Sequence, residues 1–287
     1  MDDQTTSRYA DRLVDFVRQF DACIVAYSGG VDSAVVAKAA QLALGQRAIA
    51  ITGVSASLAA GELEAAKRIA EQIGVKHEVV ATQELAQTEY LQNAPDRCFH
   101  CKTELYDQLG RWAAEKAVHT ILNGANADDL GDFRPGMRAA AEHDVRSPLA
   151  ECGLNKAAVR AVARHWGIEV WDKPATPCLS SRVAYGLNIT TERLARIDAA
   201  EQVLRGLGLS RVRVRLHENE LARLEVAIAD LPQLCEPHVR DCIVEQLRSL
   251  GFNYVTLDLE GFRSGSFQQL VPVEELQRYA QTAARQQ

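Results

Sequence analysis

The residues with the clearest capacity for chemistry are Ser28-Gly29-Gly30-Val31-Asp32-Ser33. An apolar run, Cys23-Ile24-Val25-Ala26, leads into them, and an alanine- and valine-rich helical pattern, Ala34 to Leu44, follows. That order reads as strand, tight loop, helix. Adjacent glycines let the backbone turn sharply and approach a ligand with no Cβ in the way. The first amides of a helix have no internal partner and point into the loop as donors, and the helix dipole adds to them. Ser28 and Ser33 bring hydroxyls, and Asp32 can hold a cation directly or through water. The sum is an anion cradle suited to phosphate. It is neither a Walker loop nor a dinucleotide fingerprint, because both of those glycine spacings are absent. The bland alternative is a Gly-Gly turn with a serine cap on a helix.

Sulfur forms a second constellation. Cys98-Phe99-His100-Cys101 has the spacing of soft-metal sites, iron–sulfur clusters and redox thiols. A thioredoxin-like pair follows the first strand of its fold, whereas this pair opens a helix after the third. Structural zinc uses four ligands, and no second Cys-x-x-Cys is present. Cys178 lies in Lys173-Pro174-Ala175-Thr176-Pro177-Cys178-Leu179-Ser180-Ser181-Arg182, where two prolines exclude a helix. Three thiolates can hold a four-iron cluster and leave one iron able to take hydrosulfide. Cys23, Cys152, Cys235 and Cys242 read as small buried apolar residues. A third group, Asn126, Asp128, Asp129 and Asp132, reads as a hard-cation site or as a solvated loop. Its place at a predicted strand end favours Mg–ATP. Arg134 reads as a phosphate contact or as the partner of Asp132.

Such groups need a frame. Hydrophobic periodicity predicts helices over about 7–20, 58–73 and 101–116, and strands at 23–26, 47–54, 77–80 and 120–123. Strands alternating with helices at this spacing imply a parallel sheet with helical crossovers. Ligands of such sheets bind beyond the carboxyl ends of the strands. Ser28–Ser33, Thr52–Ser55 and Gly124–Asp132 all fall at those ends and are expected to converge. Gly53 reads as a place for an adenine ring to approach the backbone, or equally as a strand terminator. Ser147-Pro148-Leu149 opens a loop, and Asn155 caps a helix to about Trp166. The loop 173–182 reads as a boundary. After it come a helix from Thr190 or Thr191 to Gly206 and the strand Arg211–Leu216, whose alternation predicts one wet face. Its hairpin partner at Ala222–Val226, a helix over 237–250 and a strand over 253–259 complete the pattern. The expected fold class is α/β, with a parallel-sheet domain over 1–182 and a smaller α+β domain over 183–287.

Composition narrows the function. In 287 residues, 47% hydrophobic and 24% charged, the net charge of −6 argues against a surface built to coat nucleic acid. No apolar run approaches a membrane span, and residues 1–19 lack the apolar core of a signal peptide. The expected location is the cytoplasm. An odd cysteine count of seven there argues for thiol or metal chemistry over a disulfide framework.

The motif SGGVDS at 28–33 resembles the pyrophosphate loop of the N-type ATP pyrophosphatases. With PDRCFHCK at 95–102, NADDLGDFRPG at 126–136, KPATPCLSSR at 173–182, RVRVRLHENELARLEV at 211–226 and YVTLDLEGFRSGS at 254–266, the chain resembles the LarE-type sulfur transferases nearly end to end. The resemblance implies a PP-loop (adenine nucleotide alpha hydrolase-like) domain and the cofactors ATP and Mg2+. It implies adenylylation of a carboxylate of pyridinium-3,5-biscarboxylic acid mononucleotide, followed by displacement of AMP by sulfur, for the nickel-pincer cofactor of lactate racemase. It implies ATP and pyrophosphate binding by Ser28, Gly29, Gly30, Val31, Asp32, Ser33, Gly53 and Asn126, and binding of the substrate's phosphate by Arg213 and Arg215. Cys178, Asp32 and Arg182 become candidate catalytic residues. Cys98, Cys101 and Cys178 match the branch that holds a [4Fe-4S] cluster; in the other branch a single cysteine, here Cys178, is sacrificed. Asp128, Asp129, Glu201 and Glu225 are candidate ligands for Mg2+ or another cation. A sulfide donor system and a homotrimer or homohexamer follow from the same resemblance. A tRNA thiolase, and a nucleotide- or metal-binding module without turnover, are the alternatives.

Overall fold

The structure is a computed structural model that describes residues 2–130, 135–174 and 176–263. Asp132, Arg134 and the end of the last motif lie outside the described residues. In chain order the elements are α1 (Asp3–Arg18), β1 (Cys23–Ala26), α2 (Val31–Leu44), β2 (Ala48–Val54), α3 (Glu62–Ile73), β3 (Lys76–Ala81), α4 (Thr88–Leu91), α5 (Arg97–Glu115) and β4 (Ile121–Leu122). Then follow α6 (Pro135–Glu142), α7 (Pro148–Glu151), α8 (Lys156–His165), α9 (Thr191–Gly206), β5 (Val212–His217), β6 (Leu221–Val226), α10 (Leu231–Cys235), α11 (Pro237–Ser249) and β7 (Tyr254–Leu257). They divide into two compact units, Met1–Glu84 with Cys98–Thr176, and Leu85–Arg97 with Pro177–Gln287.

The first unit holds a parallel sheet in the order β3-β2-β1-β4. Alternation along its strands sends side chains to two apolar layers. Cys23, Val25, Ala48 and Ala50 join a core shared with α1, α2, α3 and α8, while Ile24 and Ile51 join Tyr106, Leu109, Ala139 and Ala140 on the opposite face. A sheet buried on both faces reads as continuous apolar runs, and CIVA and AIAI are such runs. The helix α1 begins earlier than periodicity suggests because Asp2 caps it, accepting from the Thr5 amide at 2.7 Å. The chain builds β1, β2 and β3 in one direction and then places β4 on the other side of β1. That reversal makes a topological switch point between β1 and β4, where doubly wound sheets open a ligand crevice. One expectation fails locally: residues 148–151 form the short helix α7, with Pro148 at its favourable first turn, where a loop is expected.

The second unit carries a three-stranded mixed sheet in the order β5-β6-β7, antiparallel between β5 and β6 and parallel between β6 and β7. Thr190 caps α9 as expected, accepting from the Arg193 amide. The segment 85–97 also belongs here. Asn93, fully buried at φ +54°, donates to the carbonyls of Val183 and Ala184, and Arg97 bonds both Asn93 and the Ser180 carbonyl. The expected wet face of β5 is absent, since Val212 through Leu216 are all buried. Alternation of charge and apolar groups is ordinarily a half-exposed strand. Here carboxylates and carbonyls inside the unit take the place of water around Arg213 and Arg215.

Among the described residues no helix is long and apolar enough to cross a membrane.

Candidate active site

The phosphate loop is closed by its own serines. Ser33 Oγ donates to the Gly30 carbonyl at 3.1 Å and accepts from the Ser28 amide at 3.2 Å, and the two hydroxyls lie 3.2 Å apart. Gly29 adopts φ +71°, and a Cβ there would lie 2.8 Å from the Cα of Ala66, so only glycine fits. Gly30 caps α2 with extended backbone and no side-chain cap bond, which leaves the helix N-terminus to an incoming anion. Across the switch point, a Cβ on Gly124 would meet the Ser33 amide nitrogen at 2.8 Å. The loop after β4 therefore packs directly on the start of α2, as the sequence implied for these two segments.

Asn126 and the aspartates are placed in turn. Asn126 Nδ2 donates to Asp32 Oδ1 at 3.3 Å, while its amide donates to Asp129 Oδ2 at 2.9 Å and its Oδ1 accepts from the Asp128 amide at 3.0 Å. Asp128 Oδ2 accepts from the Lys156 amide at 2.9 Å. Asp128 and Asp129 thus spend carboxylate oxygens on the backbone, folding this loop and starting α8. The Lys156 ammonium is ion-paired with Asp32 Oδ2. Asp32 is 25% exposed, and Asp128 keeps an exposed side chain beside it. Gly53 is not a strand terminator. It lies inside β2, and a Cβ there would fall 2.7 Å from a Leu105 methyl, so this position favours glycine. Thr52 and Ser55 turn to protein partners: Thr52 Oγ1 to His77 Nε2 at 2.8 Å, and Ser55 to Ser57 and the buried Glu84.

In the second unit, charge is buried in layers. Arg182, 2% exposed, is bonded through Nε to Glu201 Oε1 at 2.9 Å and through Nη1 to the carbonyls of Pro177 and Cys178. Arg182 is therefore a positioning residue for the Cys178 loop. Arg215 makes a two-pronged pair with Glu225 at 2.9 and 3.0 Å and donates to the Ser181 carbonyl at 2.7 Å. Glu201 also accepts from Arg205 and the Val214 amide, and Glu225 from Arg223. Both carboxylates are fully buried and surrounded by guanidinium groups. Both serve as counter-ions for arginine. Arg213 differs. It donates to the Arg263 carbonyl at 3.0 Å and lies over the Phe262 ring at 4.3 Å. Burial, with Arg215 and Arg182 nearby, pushes its pKa down to about 10.

Burial sorts the cysteines. Cys23 and Cys152 are buried, as expected, and burial pushes the Cys23 thiol up to about 12. Cys98 is exposed and Cys101 and Cys178 are partly so. Cys98 and Cys101 are three apart in the first turns of α5 and share one face. Phe99 turns inward under the Arg138 guanidinium, 3.6 Å from the ring centroid. The expectation for Cys235 and Cys242 is corrected: Cys235 is exposed and Cys242 partly exposed, because α10 and α11 present them outward. Soft thiols that reach the surface are the right donors for an iron–sulfur cluster. Among the described residues no three His, Cys, Asp or Glu side chains already form a metal-binding group. Lys156 and the Asn93–Arg97 anchor escaped the sequence reading. A lysine directly after the cap of α8 opposes the helix dipole, and that oddity was the available signal.

A serine-glycine cradle on the first helix of a parallel sheet, facing a loop across the switch point, defines an ATP-using α/β domain of the pyrophosphatase class. A family model described as NAD synthase matches residues 7–104. A pyridinium-3,5-bisthiocarboxylic acid mononucleotide synthase of Lactiplantibacillus plantarum is 36% identical over 269 residues, 93% of this chain and 96% of that protein. An uncharacterised protein of Synechocystis is 46% identical over 261 residues, 91% of this chain and 97% of its own. Another, of Methanocaldococcus jannaschii, is 27% identical over 241 residues, 84% and 90% of the two chains. The chain belongs to the family of the pyridinium-3,5-bisthiocarboxylic acid mononucleotide synthases, which are ATP-dependent sulfurtransferases.

Proposed function

We propose that this protein adenylylates a carboxylate of pyridinium-3,5-biscarboxylic acid mononucleotide and replaces the activated oxygen with sulfur, in the service of a nickel-pincer cofactor. The observation that carries the reading is the open N-terminus of α2 inside the Ser28–Ser33 loop, in a chain 36% identical to such a synthase. A substrate carboxylate oxygen attacks the α-phosphorus of ATP, and the bond to the β-phosphate oxygen breaks. The amides of α2 and the hydroxyls of Ser28 and Ser33 take up the charge that gathers on the departing pyrophosphate. Hydrosulfide sulfur then adds to the acyl carbon, and AMP leaves with the electron pair of the carbon–oxygen bond.

Arg213 is proposed to meet the substrate's phosphate, with Arg215 locked behind it by Glu225. A buried guanidinium whose hydrogen bond goes to a neutral carbonyl and whose face meets a ring supports this, since such a group can take up a phosphate. Asp32 would hold Mg2+, which neutralises phosphate charge when bound. Cys98, Cys101 and Cys178 would hold a [4Fe-4S] cluster, which when bound supplies an iron able to carry hydrosulfide. A sulfide donor system, a cytoplasmic location and a trimeric or hexameric assembly belong to the same reading.

The test is anaerobic purification with iron and sulfide analysis, followed by incubation with ATP and the pyridinium substrate. AMP, pyrophosphate and thiocarboxylate are expected together. No pyrophosphate release with this acceptor, alongside thiolation of tRNA, would overturn it.

A further inference from the structure

The Lys156 ammonium is paired with the Asp32 carboxylate in the mouth of the phosphate loop, and neither group is buried. The pair is built rather than incidental. The Lys156 amide is fixed by Asp128 Oδ2 at 2.9 Å, Asn126 holds the other Asp32 oxygen at 3.3 Å, and Asn155 caps the same helix, accepting from the Ala158 amide at 2.9 Å. Lys156 sits at the first position of α8, where a cation is opposed by the helix dipole. A lysine at an unfavourable helix position, aimed at the carboxylate that would otherwise bind a divalent ion, occupies that ion's place.

We propose that Lys156 is a positioning residue that stands in for the divalent cation and admits it only together with the triphosphate. Without nucleotide, Asp32 Oδ2 is paired with the ammonium and Oδ1 accepts from the Asn126 amide, so a lone cation must compete with the ammonium for the carboxylate. An exposed ion pair of this kind is weak and exchangeable. When a triphosphate enters, its oxygens attract the ammonium, Asp32 is released, and the cation binds between carboxylate and phosphates. Metal and nucleotide therefore load as one unit. The inference rests on the reading of Asp32 as the cation ligand of ATP.

The test measures Mn2+ binding by electron paramagnetic resonance, with and without α,β-methylene-ATP. The wild-type chain is expected to bind Mn2+ only with the nucleotide. Lys156→Met is expected to bind it alone at least about tenfold more tightly than wild type, and adding Asp32→Asn should abolish the gain. Lys173→Met, which removes the same charge at the Glu62 pair, controls for net charge and should leave nucleotide-free binding at the wild-type level. Equal nucleotide-free binding in wild type and Lys156→Met, or an equal gain in Lys173→Met, overturns the inference while leaving the ATP site standing. Absence of Mn2+ binding to the wild type even with the analogue overturns the reading of Asp32 and the inference with it.

Discussion

Cys23 and Cys178 are the same residue type in opposite circumstances. One is buried on β1 with its thiol pushed up to about 12, while the other is partly exposed in a loop. Thiolate character decides which cysteine can react or bind metal, so Cys23 is inert. Alanine at Cys98, Cys101 or Cys178 should abolish thiocarboxylate yield while AMP formation persists; a normal yield from all three would exclude the cluster reading. Gly29→Ala adds a Cβ in left-handed backbone 2.8 Å from a neighbouring main-chain atom. A cost of about 1–2 kcal/mol for the conformation alone is roughly tenfold in affinity, so ATP binding measured by calorimetry should weaken at least that much. Gly29 was legible in the sequence, because a Gly-Gly turn carries its geometry in local spacing. Lys156 was not. It follows an ordinary cap, and its partner Asp32 lies 124 residues away in the chain.

The elements were legible where one pattern decided them. The apolar runs of β1 and β2 and the caps Asn155 and Thr190 fall as the sequence implies. The strand β5 shows where such reasoning fails. The alternation in RVRVRL is real, yet Glu225 from β6 pairs with Arg215 on this strand and Glu201 from α9 pairs with Arg182, so the charged face is covered by the elements on either side of β5 in the chain. The side-chain period specifies two faces but not which one meets water. Glu201→Ala would leave Arg182 buried without its carboxylate. Breaking a buried pair in this way costs about 3–5 kcal/mol, and a drop of that size should appear in urea unfolding. The anchoring segment 85–97 was invisible for a similar reason. Its hold rests on Asn93 in left-handed backbone, bonded to carbonyls some ninety residues on.

At the scale of the whole molecule, titration of histidine sets a pH window. Burial lowers His77, with Lys67 adding to it, and burial lowers His217, with Arg223 and Arg215 adding and Glu225 opposing. Below the ordinary value of 6.5 the unfolded chain then holds more protons than the folded one. Stability contributed by these rings is present above 6.5 and is lost as pH falls through their lowered values. The urea midpoint should fall between pH 7 and pH 5, and a His77→Gln, His217→Gln double variant should lose part of that dependence. The net charge of −6 implies no steep salt-dependent binding to RNA, which filter binding across a salt series would check. One last consequence follows from Arg182. Its guanidinium clasps the main chain at Pro177 and Cys178 and is itself pinned by Glu201, so the perch of that sulfur does not depend on the sulfur. A change at the Cys178 thiol, by substitution or alkylation, therefore leaves those main-chain contacts in place.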